Sequence, residues 1–169
     1  VVPNPNLMAE YAYNGEFGIS RVLSEGLSIQ ATGYYTLLKN ALTAGTGTFN
    51  GADSIMYDGQ LSQVMTTTNA GKAYVYGFEA MLSGKLNDHL SMMATVNYTK
   101  GRNVTDSIPL DHIPPVFGKF SLVYSVGKLR AEFFMNYSGW KRLADYNMAG
   151  EDNFAYATPY GMPSWATVN

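Results

Sequence analysis

The side chains best suited to ligand chemistry lie in three stretches rich in glycine and other turn-forming residues. Carboxylates in these stretches suit a cationic or hydroxyl-rich ligand, whereas guanidinium groups suit an anionic one. A loop histidine beside an aspartate suits contact with a ligand or with iron. We expect seven residues to face a ligand: Tyr57, Asp58, Arg102, Asp111, His112, Arg142 and Asp152.

The sequence has no pattern typical of an enzyme, a metal site or a cofactor site. Cysteine is absent, and the two histidines are His89, in a short turn, and His112, in a long loop. We expect them at opposite ends of strands, roughly 40 Å apart at about 3.3 Å per residue, so they cannot share a metal ion. No nucleophile elbow or phosphate-binding glycine loop occurs. We therefore predict no enzymatic activity and no catalytic, cofactor-binding or metal-binding residues.

The central part of the chain, from 69 to 100, has to position these loops. Its second half alternates between apolar and polar residues, the apolar ones being Leu90, Met92, Ala94, Val96 and Tyr98. This period of two predicts a strand with one apolar and one polar face, and the stretch from Tyr74 to Leu82 has the same pattern. Both strands exceed the five or six residues that are typical of soluble sheets. They reach the roughly nine to eleven residues that a tilted bilayer-crossing strand needs.

The whole chain, 1–169, has the organisation of one all-β domain. Alternation predicts about six strands and the start of a seventh, at about 10–23, 27–40, 67–85, 90–100, 115–126, 128–140 and 164–169. Short turns alternate with long loops at 41–66, 101–114 and 141–163. An antiparallel up-and-down meander then places all short turns at one end and all long loops at the other, as in outer-membrane barrels. We predict a partial domain of a large transmembrane β-barrel, and we expect the chain to be a fragment.

Composition is compatible with this interpretation and excludes one class of partner. Of the 169 residues, 46% are hydrophobic and 14% aromatic, and the mean hydropathy is -0.11, as barrels with alternating lipid-facing and lumen-facing residues allow. The net charge of -2, without a basic run, argues against nucleic acid. Aromatic residues near the predicted loop ends suit an interfacial girdle: Tyr35, Tyr98, Tyr137 and Trp140.

Charged residues also occur within the predicted strands, and there we expect a structural role. The carboxylates would lie on the polar face and point into a barrel lumen. We expect them to pair with basic residues across strands, or with a plug domain. The two sets are the carboxylates Glu16, Glu79 and Glu132 and the bases Arg21, Lys119 and Arg130.

Four segments of the chain resemble, in order and at similar spacing, the C-terminal barrel of TonB-dependent outer-membrane receptors of the Bacteroidetes type. They are PNPNLMAEYAYNGEFG (3–18), NAGKAYVYGFEAML (69–82), PLDHIPPVFGKFSLVY (109–124) and GEDNFAYATPYGMPSWATVN (150–169). The best match is Asn69, Gly71, Gly77 and Glu79 in the central strand. The first segment departs from the family pattern at Met8-Ala9, where a proline is usual before the glutamate.

The resemblance implies a function that the residues alone do not indicate. The whole receptor would be a 22-stranded barrel in the bacterial outer membrane, with a plug domain inside. It would import a scarce ligand, a ferric siderophore by family frequency, or else haem, a cobalamin or a glycan, with energy from TonB. Its partners would be outer-membrane lipid, the plug, TonB and an iron chelate or other small ligand. Arg102, Lys141 and Arg142 would also suit the phosphates of lipopolysaccharide.

Two other hypotheses remain open at this point. A soluble or surface-exposed β-sandwich that binds protein or glycan would bury the apolar face against a second sheet. A complete small barrel of about eight strands could serve as an adhesin, although a seventh strand that has just begun argues against closure in lipid. Exposure of five apolar-face residues separates a barrel from a sandwich: Leu90, Met92, Val96, Phe133 and Met135. In isolation, we expect the fragment to cover its apolar face and open edges by oligomerising, swapping or curling.

Overall fold

The computed structural model describes residues 1–69, 71–105, 107–147 and 156–169. One large antiparallel sheet dominates, with strands in the order β1-β2-β7-β8-β10-β11-β12. Its strands are β1 (Tyr11–Ser24), β2 (Leu27–Lys39), β7 (Lys72–Lys85), β8 (Leu90–Asn103), β10 (Phe117–Val126), β11 (Leu129–Ser138) and β12 (Trp165–Val168). The short β9 (Ile108–Pro109) pairs with β8. This confirms the predicted all-β antiparallel meander.

Short and long connections alternate along the sheet. The pairs β1–β2, β7–β8 and β10–β11 are joined by short turns at one end of the strands. The stretches between β2 and β7, between β8 and β10, and between β11 and β12 lie at the other end, which we call the long-loop end. Within the described residues, no helix is long and apolar enough to cross a membrane.

The first long connection differs from the loop predicted over 41–66. It contains β3 (Leu42–Thr46) paired with β6 (Met65–Asn69), and β4 (Ser54–Tyr57) paired with β5 (Gln60–Gln63). At the tip, Asp58 and Gly59 have φ values of 52° and 79°. Two left-handed residues in a two-residue hairpin loop match the type I′ turn that Asp-Gly favours. The connection is therefore a second, extended hairpin.

The strand predicted over 67–85 is likewise divided in two by a local break. Gly71, at φ 63°, separates β6 from β7, and Asn40, at φ 54°, lies opposite it between β2 and β3. The Asn40 amide donates a 2.6 Å hydrogen bond to the Gly71 carbonyl oxygen. Left-handed backbone interrupts a strand, and the β3–β6 pair accordingly forms a separate sheet rather than continuing the β2–β7 ladder.

Asn69 ties three segments together at this break. Its Oδ1 accepts a 2.8 Å hydrogen bond from the Met8 amide. Its Nδ2 donates to the Met8 carbonyl oxygen at 3.0 Å and to the Asn40 carbonyl oxygen at 2.7 Å. One side chain thus holds the first residues of the chain, the end of β2 and the end of β6. We call this arrangement the Asn69 clasp.

The large sheet has one apolar face that stays uncovered. The register places Phe17, Ile19, Phe78 and Val96 on this face. Phe17 is 76% exposed and Ile19 is 59% exposed. The five diagnostic residues Leu90, Met92, Val96, Phe133 and Met135 are half-buried or exposed. Among the described residues no second sheet packs on them, which argues against the β-sandwich alternative.

Two tyrosines cross a glycine on the neighbouring strand and reach the strand beyond. Tyr34 on β2 passes over Gly77 on β7, and its hydroxyl lies 2.5 Å from the Thr99 hydroxyl on β8. Tyr137 on β11 passes over Gly118 on β10 and donates a 3.0 Å hydrogen bond to the Thr95 carbonyl oxygen. Each contact staples three strands, because only a residue without a side chain leaves room for the ring.

The expected cross-strand ion pairs are absent from the described residues. The three strand carboxylates lie on the polar face, but Arg21 lies on the apolar face, opposite Ile29. The Lys119 ammonium sits 4.8 Å from the Phe134 ring centre. Glu132 lies 3.9 Å from Arg130, its neighbour two residues away on the same strand. Both side chains are exposed to solvent, so this pair stabilises little.

We predict that Gly77→Ala destabilises the folded sheet by about 1–3 kcal/mol, the usual range for an overpacked site. The added β-carbon would clash first with the Tyr98 carbonyl oxygen on β8 and would also lie 2.6 Å from the Tyr34 hydroxyl, so both the β7–β8 ladder and the Tyr34–Thr99 contact would have to shift. Gly15→Ala on β1 is the matched control, because its β-carbon meets nothing within 4 Å. Denaturant unfolding measures both. Equal midpoints for the two variants would contradict the stapling role.

We also predict that Asn69→Ala loosens the long-loop end without unfolding the large sheet. It removes three hydrogen bonds, each worth about 0.5–1.5 kcal/mol. Hydrogen exchange of the Met8 amide should accelerate at least tenfold. Asn87→Ala, which removes one local bond to the His89 amide in a short turn, is the control. Unchanged exchange at Met8 would show that the clasp does not hold the segment.

Candidate functional site

Burial among the described residues is concentrated where the long connections meet. The buried residues there are Ala41, Val64, Thr66, Ala73, Asn103, Lys141, Tyr146 and Asn147. Asn103 is 1% exposed, and its Oδ1 accepts a hydrogen bond from the Thr105 amide at 2.9 Å. Packed loops give a ligand site fixed walls, so this end is the candidate functional site.

Asp111 lies where all three long connections come together. It lines a cleft of about 320 Å³ with Leu42, Thr43 and Met65 of the β3–β6 hairpin. Its carboxylate accepts a hydrogen bond from the side-chain amide of Asn147 in the third connection. A carboxylate held by one amide keeps acceptor capacity for a ligand.

His112 faces a different cleft from its neighbour. Its φ of 58° is left-handed, so the chain turns sharply between the two residues. The His112 cleft has a volume of about 270 Å³ and is also lined by Lys141, Tyr146 and Trp165. The Lys141 ammonium lies 4.5 Å from the Tyr146 ring centre. This cleft combines aromatic walls with a cation.

The third connection is fastened to the sheet and to itself. Lys100 on β8 and Asp145 form an ion pair at 3.3 Å. Trp140 donates a 2.8 Å hydrogen bond from its indole nitrogen to the Tyr160 carbonyl oxygen. The Arg142 guanidinium lies over the Trp140 ring at 5.7 Å and is exposed. Arg142 is thus a cation held over the hydrogen-bonded Trp140 ring and available to an anionic ligand.

Tyr57 and Asp58 occupy the tip of the β4–β5 hairpin. Tyr57 is 71% exposed, and Met56 and Leu61 on the same hairpin are 67% and 73% exposed. Asp58 is a turn residue whose backbone conformation forms the hairpin. The tip therefore presents an aromatic and apolar surface rather than a charged pocket.

Arg102 lies on the apolar face of the sheet, in register with Tyr74. It donates a 2.7 Å hydrogen bond to the Ser107 carbonyl oxygen. The apolar and polar faces point in opposite directions, so Arg102 points away from the Glu79 side of the sheet. This position favours a role other than contact with a ligand in the lumen.

Of the seven residues predicted to face a ligand, Asp152 lies outside the described residues. Among the other six, no hydrogen bond or ion pair joins any two side chains in the part of the chain that the structure describes. Nor is any group of three or more His, Cys, Asp or Glu side chains there placed to hold a metal ion. The arrangement offers separate polar contacts around the loop end rather than one catalytic cluster.

Several residues that shape this end were not singled out from the sequence. Asn147 and Tyr146 fix the third connection, and Asn69 was noted only as part of a family segment. A possible signal was the dense spacing of hydrogen-bonding and aromatic residues in 140–147. Their partners lie on other connections, so the sequence alone does not reveal the contacts.

Solved structures of similar fold include three transport proteins. The copper transporter OprC is 18% identical, with a TM-score of 0.74, over 97% of this chain and 23% of its own. A mutant of the ferric enterobactin receptor PfeA from Pseudomonas aeruginosa is 20% identical, with a TM-score of 0.69, over 98% and 23%. The iron transporter FrpB from Neisseria meningitidis is 16% identical, with a TM-score of 0.61, over 95% and 24%. The chain thus spans about a quarter of the length of these proteins.

A search of curated proteins found no match. The family model for the β-barrel of TonB-dependent receptor-like proteins matches residues 1–169, the full length of the chain. The match agrees with the antiparallel meander, its uncovered apolar face and the alternation of short turns with long connections. The chain belongs to the TonB-dependent receptor-like β-barrel family.

Proposed function

We propose that this chain is part of a TonB-dependent receptor of the Bacteroidetes type, located in the bacterial outer membrane, which imports a ferric siderophore or another iron chelate. The observation that carries the proposal is the gathering of all three long connections at one end of a sheet with one apolar and one polar face. Residues 1–169 form a partial barrel domain in this proposal.

The two faces of the sheet have separate physical roles. The apolar face contacts lipid hydrocarbon, and the polar face, with Glu16, Glu79 and Glu132, lines the lumen. Within the described residues β1 and β12 each pair on one side only. Further strands would have to pair with these edges, because a spanning sheet cannot leave backbone groups unpaired in lipid. Similar proteins about four times as long support this requirement.

A plug domain and TonB are the proposed partners, and both lie outside this chain. The barrel wall and its loops contribute ligand capture, whereas energy for release comes through the plug. Metal cargo is supported by the similar structures, which are a copper transporter, a ferric enterobactin receptor and an iron transporter. We infer iron chelates as the ligand class.

We propose that the ligand contacts the loop end through residues of both charges. Asp111 and His112 line the packed clefts, Arg142 follows Lys141 of the His112 cleft, and Tyr57 and Asp58 occupy the tip of the β4–β5 hairpin. Asp152 belongs to the same third connection. Arg102 lies apart from this group because it projects from the apolar face.

Uptake by cells tests the proposal directly. Cells that lack their own receptors would be complemented with the full-length protein and given radiolabelled iron as a catecholate, a hydroxamate or a haem complex. We expect uptake of at least one chelate, and we expect the loss of TonB to abolish it. Uptake of none of them, or uptake that persists without TonB, would contradict the proposed function.

Charge substitutions then locate the contact. A negatively charged chelate should bind about tenfold more weakly to Arg142→Gln, whereas a positively charged one should bind about tenfold more weakly to Asp111→Asn, as expected for the loss of a charged hydrogen bond. Asp111→Asn keeps an oxygen that can accept the Asn147 bond. Arg130→Gln and Asp88→Asn, at the short-turn end, are the matched controls. Unchanged affinity in both loop variants would contradict the assignment.

A further inference from the structure

The strand formed by β5 and β6 has one edge that faces away from the rest of the first connection. Between these two strands, the Val64 amide donates a 2.7 Å hydrogen bond to the Asp53 carbonyl oxygen. The Val64 carbonyl oxygen accepts a 2.8 Å bond from the amide that follows β3, so both groups face the side of β3 and β4. Alternate residues of a strand turn their backbone groups to opposite edges. Leu61, Gln63 and Met65 therefore face the other side, which we call the outer edge.

The outer edge already pairs with extended backbone at one point. The Val2 amide donates a 2.8 Å hydrogen bond to the Met65 carbonyl oxygen, and the Thr66 hydroxyl donates a 2.9 Å bond to the Val2 carbonyl oxygen. Val2 and Thr66 form a parallel bridge. Among the described residues, no strand pairs with Leu61 or Gln63 on this side. The edge thus suits strand addition and has backbone groups left for it.

The outer edge lacks the devices that usually protect an exposed strand. Proteins commonly place a lysine, a proline or a bulge at such an edge. β5, Gln60–Gln63, contains neither a charged residue nor a proline, and its ladder with β4 has no bulge. Leu61 is 73% exposed, and Met56, its partner across the ladder on the same face, is 67% exposed. Free backbone groups beside an apolar pair are the combination that captures an extended peptide.

The charge of the first connection selects among peptides. Between Lys39 and Lys72 the sequence contains no lysine, arginine or histidine. Asp53 and Asp58 flank β4 on either side, and both are exposed. A surface with charges of one sign attracts the opposite sign and disfavours partners of its own sign. The β4–β5 hairpin therefore favours a cationic peptide over an acidic one.

We propose that the outer edge binds an extended cationic peptide, which adds to β5 as a third strand of the β4–β5 sheet. The peptide backbone pairs with the free groups of Leu61 and Gln63. Every second side chain of the peptide is apolar and packs beside Leu61 and Met56, because side chains of a strand alternate between its faces. The basic side chains of the peptide complement the two aspartates. The inference needs only an exposed hairpin and does not depend on the import of iron chelates.

Calorimetric titration of the full-length protein in a zwitterionic detergent provides the test. The probe is a short synthetic peptide that alternates leucine and lysine. Two comparison peptides carry glutamate in place of lysine, or the same side chains on N-methylated amides. Each should bind about tenfold more weakly, because one reverses the charge and the other removes the backbone donors. Equal binding of the N-methylated peptide, or no binding of the leucine–lysine peptide, would overturn the proposal.

Gln63→Pro and Gln63→Ala are a matched pair that isolates the backbone contribution. Proline removes an amide hydrogen that faces the outer edge, and proline is tolerated where a strand edge is unpaired. Gln63→Pro should weaken binding of the leucine–lysine peptide about tenfold, whereas Gln63→Ala keeps the amide and should stay within about twofold. Leu61→Gln, which leaves the backbone intact, should also cost about tenfold through the lost apolar contact. Equal binding by the two Gln63 variants, or no loss in Leu61→Gln, would contradict strand addition.

Asp58→Asn tests the charge, since asparagine also adopts the left-handed turn conformation of Asp58. Association of the leucine–lysine peptide should slow roughly threefold at low ionic strength, and high salt should remove the difference by screening. Asp88→Asn, an exposed aspartate at the short-turn end, is the control. Equal association rates for the two variants would refute the charge assignment.

Two further measurements separate this proposal from its alternatives. Self-association of the protein that Gln63→Pro abolishes would assign the outer edge to a second copy of the chain and would overturn the peptide assignment. Iron-chelate uptake by the same variants distinguishes this inference from the proposed function. Chelate uptake by a protein that does not bind the peptide fails only this inference, whereas peptide binding without chelate uptake fails only the proposed function.

Discussion

Backbone hydrogen bonding is the constraint on which the rest of this structure depends. A strand in hydrocarbon has no water for its amides and carbonyls, so each must find a partner on a neighbouring strand. The long ladders of β1–β2, β2–β7 and β7–β8 meet that demand with 13 residue pairs each. The side chains are then free to be apolar on one face of the sheet and polar on the other. The tyrosine staples over Gly77 and Gly118 add side-chain bonds that span three strands.

Backbone groups at the long-loop end need no continuous strand pairing, because water can reach them. The loops there are held by hydrogen bonds from side chains to backbone, as in the Asn69 clasp, and between polar side chains, as in the Asp111–Asn147 bond. Such contacts hold surface loops in place without the continuous ladders of the strands. The charged side chains follow the same division. Lys39, Lys72 and Arg102 lie on the apolar face beside tyrosines such as Tyr74, and the strand carboxylates lie on the other face.

The sequence predicted those parts of the fold that depend on local pattern. Period-two alternation from Leu90 to Tyr98 was enough to identify a strand and its apolar face. The β3–β6 and β4–β5 pairs were missed because glycines and polar residues obscured the alternation, although Asp58-Gly59 was a readable turn signal. Contacts across strands need the register. Nothing local to Lys39 shows that Lys72 lies opposite, nor does anything near Arg21 reveal that its expected carboxylate partners lie on the other face.

The break at Asn40 and Gly71 has a consequence for how barrels of this family diversify. When the register of a strand shifts by one residue, its side chains exchange faces. An insertion that shifted β2 or β7 in this way would turn their apolar side chains into the lumen. The left-handed residues Asn40 and Gly71, with the Asn69 clasp across them, separate the β3–β6 hairpin from the β2–β7 ladder. The hairpin can therefore gain or lose residues between β3 and β6 while the wall keeps its register. The sheet is therefore the part that evolution conserves in length, and the hairpin is the part that it can exchange. A loop grafted from another barrel of this family would best be joined at Asn40 and Gly71.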